Sequence, residues 1–253
     1  MPNWCNTSIT FQTVDNSQQS YNAIKSLYDN INKYLESNKD ISLYPNSFHN
    51  GWLGNQVLEY GLASVKDNNF TCECGCRGCI ENIDDEISST DDKYYFMMSQ
   101  YAAWIPMVKM WQEIIMRHYV DNNGNPYIHV YYQAEEPGCV LYWTNDNVGY
   151  FYPELYTLDC CLSGKSYLFD NYNPDIEYEQ PYFNSDKEAL EFINRNITSK
   201  EFNTPQQAID WINNELDTNQ PAFTRVGDSP NCDYINLNEF EYCEIDDTER
   251  IRF

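Results

Sequence analysis

The sequence predicts an α+β protein: a ferredoxin-like (split βαβ) N-terminal domain over residues 1–154 with an insertion, then an acidic α+β C-terminal region over 155–253. Three observations predict it. Cys5, Thr7, Ile9 and Phe11 alternate with Asn6, Ser8, Thr10 and Gln12, the period of a strand. From residue 5 to 134 the order of elements reads strand, helix, strand, strand, helix, strand. Beyond 155 the pattern is less regular and carboxylates crowd in.

After the first strand, Ala23, Ile24, Leu27, Ile31 and Leu35 recur at three and four residues, which predicts a helix from Ser17 to Ser37. Residues 38–50 lose that spacing and carry Pro45, so a loop is expected, within an insertion over 38–66. GWLGNQVLEYGL (51–62) predicts a short helix with Gly61 near its end. Residues 70–83 read as extended chain, and DDEISSTDD (84–92) as a turn or short loop. Tyr94 to Tyr101, rich in aromatics, predicts a strand. Ile105 to Tyr119 predicts a helix with Pro106 in its first turn, where a missing N–H costs nothing, and Val108, Trp111, Ile114, Ile115 and His118 on one face. DNNGNP marks a turn before a strand over 127–134. Residues 139–144 and 148–152 are expected to form a hairpin across Asn145–Asn147.

In the C-terminal region two helices are well marked. Ser185 with Glu188 makes a capping-box pattern before Ala189, Leu190 and Ile193, and Thr204, Pro205 and Gln207 do the same before Ala208, Ile209 and Ile212. Tyr-rich stretches, YEQPYF and NLNEFEYCEI, read as extended chain around them. In the second, Phe240 and Tyr242 are expected on one side and Glu239 and Glu241 on the other. No repeat of 20 to 50 residues is visible, and the boundary is expected near 154–165.

Composition narrows the function. With 42% hydrophobic and 16% aromatic residues, the 253-residue chain can fill a core, which excludes global disorder. No apolar run approaches the roughly 20 residues of a membrane-spanning helix, and the expectation is a soluble protein. Lys and Arg total 15 against 39 Asp and Glu, a net charge of −24. From residue 170 onward there are 19 acids and 6 bases. Phosphate binding by counterion release needs clustered Lys and Arg, so direct nucleic-acid binding is excluded. A protein that competes with nucleic acid for a basic cleft is well served by this charge, and solubility alone is the plain alternative. The opening MPNWCNTSITF lacks a leader's basic residues and apolar run, so the ten cysteines are expected as thiols or metal ligands in a reducing cytoplasm. Without secretion the Asn6, Asn69 and Asn196 sequons carry no meaning.

Four cysteines, Cys72, Cys74, Cys76 and Cys79, lie within TCECGCRGCI, the right number for zinc if the chain turns at Gly75 and Gly78. The spacing is compressed for one ion, and on a strand the first three would share a core face. SGKSY (163–167) ends like a phosphate-binding loop but has Asp159 where that loop needs its first glycine. Cys160–Cys161 beside Asp159 could be a nucleophile site, yet none of His49, His118 and His129 has a signature tying it to a cysteine. Glu135 and Glu136 are a carboxylate pair of the common, solvated kind. No catalytic set emerges, and no cofactor is expected beyond the zinc alternative.

MPNWCNTSITF resembles the opening of the YubB-like ferredoxin-like proteins of phages, prophages and plasmids. Ala102-Ala103-Trp104-Ile105-Pro106 is similar to that family's entry to its second helix, with Ala102 where Thr is usual. Gly51-Trp52-Leu53-Gly54-Asn55, Cys76-Arg77-Gly78, Ala134-Glu135-Glu136-Pro137-Gly138 and Thr144-Asn145-Asp146 are similar to segments of its Bacteroidetes-type members. The resemblance covers about residues 1–152. It implies origin on a mobile genetic element more than any activity, and it places Trp4 and Cys5 at the start of the first strand, packed on the covered face. The leading expectation is a non-enzymatic, acidic inhibitor or modulator of a host nucleic-acid-handling or defence protein in the bacterial cytoplasm. Its contacts are expected at Glu177, Tyr178, Glu179, Glu239, Glu241, Tyr242, Glu244, Asp246 and Asp247, where acids supply phosphate-like charge and Tyr supplies rigid area. The alternatives are a virion-associated or structural protein and a zinc-stabilised module or enzyme using Cys72–Cys79.

Overall fold

A computed structural model of the chain describes residues 3–35, 50–67, 69–90, 92–178, 180–218 and 233–248. The described residues form an α+β protein with one large mixed sheet and five α-helices. Of the expected loop at 38–50, residues 38–49 lie outside the described residues. The chain forms two compact units: Met1–Tyr152 with Glu241–Phe253, and Pro153–Phe240.

The first unit opens with β1 (Trp4–Thr13), α1 (Gln18–Leu35), α2 (Leu53–Glu59), β2 (Ala63–Lys66), β3 (Asn69–Cys72), β4 (Gly78–Ile83), β5 (Ser88–Thr90), β6 (Lys93–Ala103), α3 (Val108–His118), β7 (Ile128–Glu136) and β8 (Leu141–Thr144). Its sheet runs β8-β7-β1-β6-β4 with every neighbour antiparallel, and β5 extends it by pairing with β6. The alternation read from the sequence is why β1 sits in the middle. Cys5, Ile9 and Phe11 are fully buried on one face, where the apolar stripes of α1 (Ile24, Leu27, Ile31) and α3 (Val108, Trp111, Ile114) join the same core. Phe11 lies 4.9 Å from the Phe96 ring and 5.5 Å from Trp111. The buried Trp111 indole donates to Gln100 Oε1 at 3.0 Å, and losing that donor would strand a buried carbonyl at a cost of about 1–3 kcal/mol.

Several expectations are corrected here. Pro106 falls outside α3, which begins at Val108. Trp104 takes a left-handed φ of 68° and its N–H donates to Asn3 O at 2.9 Å, and Ile105, preceding proline, is disfavoured in helical backbone. Residues 88–90, expected in a loop, pair with β6, and the end of the expected insertion forms β2, which pairs with β3. Residues 148–152 are not a strand. Asp146 accepts the N–H groups of Phe151 (2.6 Å) and Tyr152 (3.0 Å), and Gly149 turns the chain at φ 66°. That loop instead packs on the sheet's second face. Tyr152 bonds Thr10 at 2.9 Å, and Phe151 packs on Tyr95 and Tyr131.

The second unit contains β9 (Tyr156–Cys161), β10 (Tyr182–Phe183), α4 (Asp186–Asn196), α5 (Pro205–Thr218) and β11 (Tyr234–Glu239). Its antiparallel sheet, β10-β9-β11, shares a core with the two helices through Leu158, Cys160, Ile193, Ile209, Ile212 and Ile235. Both expected caps form: Ser185 Oγ accepts Glu188 N–H at 3.3 Å and Thr204 Oγ1 accepts Gln207 N–H at 3.2 Å. Lys165, the lysine of SGKSY, is buried and donates to Leu216 O at 2.6 Å near the end of α5, a structural role in place of a phosphate-binding one.

After β11 the chain re-enters the first unit, whereas the sequence predicts a single region over 155–253. Strand β12 (Glu241–Tyr242) pairs in parallel with β8, and Ile245 is buried in the first unit's core. Phe240 and Tyr242 therefore do not share a face. Phe240 is buried against the Tyr182 ring, 6.4 Å away in the second unit, and Tyr242 is exposed in the first. Among the described residues no helix is long and apolar enough to cross a membrane.

Candidate functional site

One end of the first unit's sheet gathers segments that stand far apart in the sequence. Trp104 N–H donates to Asn3 O and Ala103 N–H to Arg77 O, both at 2.9 Å, and Ile80 N–H donates to Gly51 O at 2.8 Å. Gly78 is required by this convergence, because a Cβ there would stand 2.4 Å from Tyr101 O. At Gly138 a Cβ would stand 2.5 Å from Asn3 Nδ2. Cys5 packs on the helix-covered face as expected, but Trp4 does not. It lies on the opposite face, 47% exposed and edge-on to Tyr101 at 5.3 Å. The Arg77 guanidinium sits 4.7 Å from the Trp104 ring, itself 41% exposed. Periodicity alone could not find this aromatic and cationic patch, since β1, β4 and β6 meet there only through tertiary pairing.

The turn between β3 and β4 assembles three of the four cysteines. Cys72 Sγ and Cys74 Sγ are 4.0 Å apart, and Cys72 also contacts the Cys76 thiol. Cys79 is turned away. It pairs across from Tyr101 and bonds that side chain, while its neighbour Ile80 enters the core. Among the described residues no group of three or more His, Cys, Asp or Glu side chains is arranged to hold a metal ion. Burial raises the Cys5 and Cys160 thiols to about 12, which makes both poor nucleophiles. His118 Nε2 lies 2.9 Å from Tyr60 O, and burial holds the His129 pKa down. His49 lies outside the described residues. Glu136 is not solvated: it is buried, and its Oε1 accepts Gly138 N–H at 3.1 Å.

The expected contact residues fall in both units. In the second, Glu177 accepts Leu162 N–H at 2.6 Å and the Tyr172 hydroxyl, so it braces the fold, while Tyr178 and Glu239 are exposed. Glu179 lies outside the described residues. In the first unit, Glu241, Tyr242, Glu244, Asp246 and Asp247 form a strip held at both ends. Cys243 N–H donates to Thr144 O and its carbonyl accepts the Tyr132 hydroxyl, both at 2.8 Å, and Ile245 anchors the far end. Tyr242 donates to Glu244, and Lys109 bonds Asp246.

The cations are largely engaged. Among the described residues Lys25, Lys33, Lys109, Arg117 and Lys187 pair with carboxylates, Lys200 lies over the Trp211 ring, and Arg77 lies over Trp104. The second unit carries 16 Asp and Glu against 5 Lys and Arg. Comparison with family models, with curated proteins and with solved structures returns no match to this chain.

Proposed function

We propose that this chain is a non-enzymatic binding protein that presents fixed carboxylates to the basic surface of a nucleic-acid-handling or defence protein in a bacterial host. The observation that carries this reading is the strip Glu241–Asp247. A solubilising tail has no need of order, yet here backbone hydrogen bonds and the buried Ile245 hold the acids in place before any partner arrives. Preorganised charge binds without the entropic cost of ordering a chain. Pairing of the protein's own cations further favours a positive partner over phosphate.

The order β7-β1-β6-β4, antiparallel throughout, with α1 joining β1 to the edge hairpin and α3 joining β6 to β7, supports a ferredoxin-like reading of the first unit. The resemblance of the Asn3-Trp4-Cys5 opening to YubB-like proteins supports an origin on a mobile genetic element and action in the host cytoplasm.

The test is capture from nuclease-treated bacterial lysate by the intact protein and by a Glu241→Gln, Glu244→Gln, Asp247→Asn variant. A basic nucleic-acid-handling protein should be retained at low salt and released at moderate salt, with retention by the variant reduced about tenfold. Equal retention by both proteins, or capture of virion components regardless of salt, would assign the acidity to solubility.

A further inference from the structure

The thiols beside the sheet have a chemistry independent of the acidic strip. Strand β3 ends at Cys72, the chain bends at residues 73 and 74, and Cys74 Sγ is thereby brought 4.0 Å from Cys72 Sγ. The Cys72 sulfur is in hydrogen-bonding contact with the thiols of Cys74 and Cys76 and accepts from the backbone N–H groups of Cys74 and Glu73. Each of these donors stabilises negative charge on Cys72. The two backbone donors favour negative charge on Cys72 over the buried Cys76. Cys76 is buried in the core, while Cys72 and Cys74 are half-buried and open to a small reagent.

We propose that Cys72 and Cys74 are a redox-active pair, with Cys72 the sulfur that a peroxide oxidises and Cys74, 4.0 Å away, the sulfur that resolves it. The Cys72 thiolate attacks one oxygen of hydrogen peroxide. An S–O bond forms, the O–O bond breaks, and the departing hydroxide takes a proton to become water. Cys74 then gives up its proton and its sulfur attacks Cys72 Sγ. The S–S bond forms, the S–O bond breaks, and the hydroxyl leaves with the Cys74 proton as a second water. Two thiols lose two electrons and the peroxide gains them. A low-molecular-weight thiol returns the pair to its starting state by exchange. A disulfide of about 2.05 Å requires the sulfurs to close by about 2 Å.

The experiment is a timed hydrogen peroxide titration of the full chain, quenched by alkylation and digested with trypsin. Residues 67–77 leave as one peptide holding Cys72, Cys74 and Cys76, and residues 78–93 as another holding only Cys79. Cys79 is also half-buried, with its pKa raised by burial, and serves as the internal reference. The 67–77 peptide should lose two hydrogens and keep one alkylated thiol, at a rate at least about tenfold that of Cys79 oxidation. A Cys74→Ser chain should accumulate a sulfenic acid at Cys72 that a dimedone reagent traps, and a Cys72→Ser chain should lose the fast phase. Oxidation of 67–77 no faster than Cys79 in the unaltered chain would overturn the proposal, as would a fast phase that persists in Cys72→Ser.

Discussion

At the scale of single residues, His129 sets an acid limb of stability that carboxylates do not. It lies on β7 opposite Gln12 of β1, and burial, followed by the charge of Lys93, lowers its pKa below the ordinary 6.5. The folded state thus disfavours the imidazolium, and the unfolded chain takes its proton at higher pH. Above about 6.5 the group is neutral in both states and contributes nothing. As pH falls from 6.5 toward the lowered folded value, stability is lost, and the loss levels off below it. Urea midpoints measured from pH 7 to pH 5 should decline, and His129→Asn should flatten the decline; an unchanged slope in the variant would remove His129 from this role. Asp15, Glu59, Asp121 and Asp170 have lowered pKa values through hydrogen bonds, so their contributions fade only in the more acid carboxylate range. The burial of Cys5, Ile9 and Phe11 was legible from alternation. The outward turn of Trp4 was not, because a terminal residue on a strand is assigned its face by its neighbours in space.

Among the elements, the helices with a long apolar period were legible, while two of the shortest strands were missed. α1, α4 and α5 stand within a residue or two of their expected starts, since apolar spacing and N-terminal caps are local signals. β2 and β5 are four and three residues long, too short for a period to register, and only pairing makes them strands. The helix caps give this scale its measurement. Ser185→Ala removes the acceptor of Glu188 N–H and should cost the second unit about 1 kcal/mol, seen as a lower denaturation midpoint. Ser185→Asp, which keeps an acceptor, should restore it.

For the whole molecule, the acidic surplus was plain from counting, but the destination of the last described residues was not. β12 finds its partner in β8, with Glu241 opposite Trp143, 98 positions upstream, and no local signal encodes a pairing at that distance. A chain ending at Phe240 should keep the second unit and weaken the first. It loses the buried side chain of Ile245, about 1.5–3 kcal/mol by itself, and the hydrogen bonds of Cys243. Hydrogen exchange that slowed or stayed level in β8 and α3 of the shortened chain would contradict this. The return of β12 also sets a schedule for synthesis. At about 5–20 residues per second, the ribosome takes roughly 5–20 s to pass from the end of β8 to β12. During that interval β8 is an unpaired sheet margin on a nascent chain, and the second unit, whose segments lie wholly within the gap, can be made and folded before the first is closed. Slower translation through 145–240 would lengthen the exposure of that margin, so nascent-chain aggregation should track codon speed in a region far from the strand at risk.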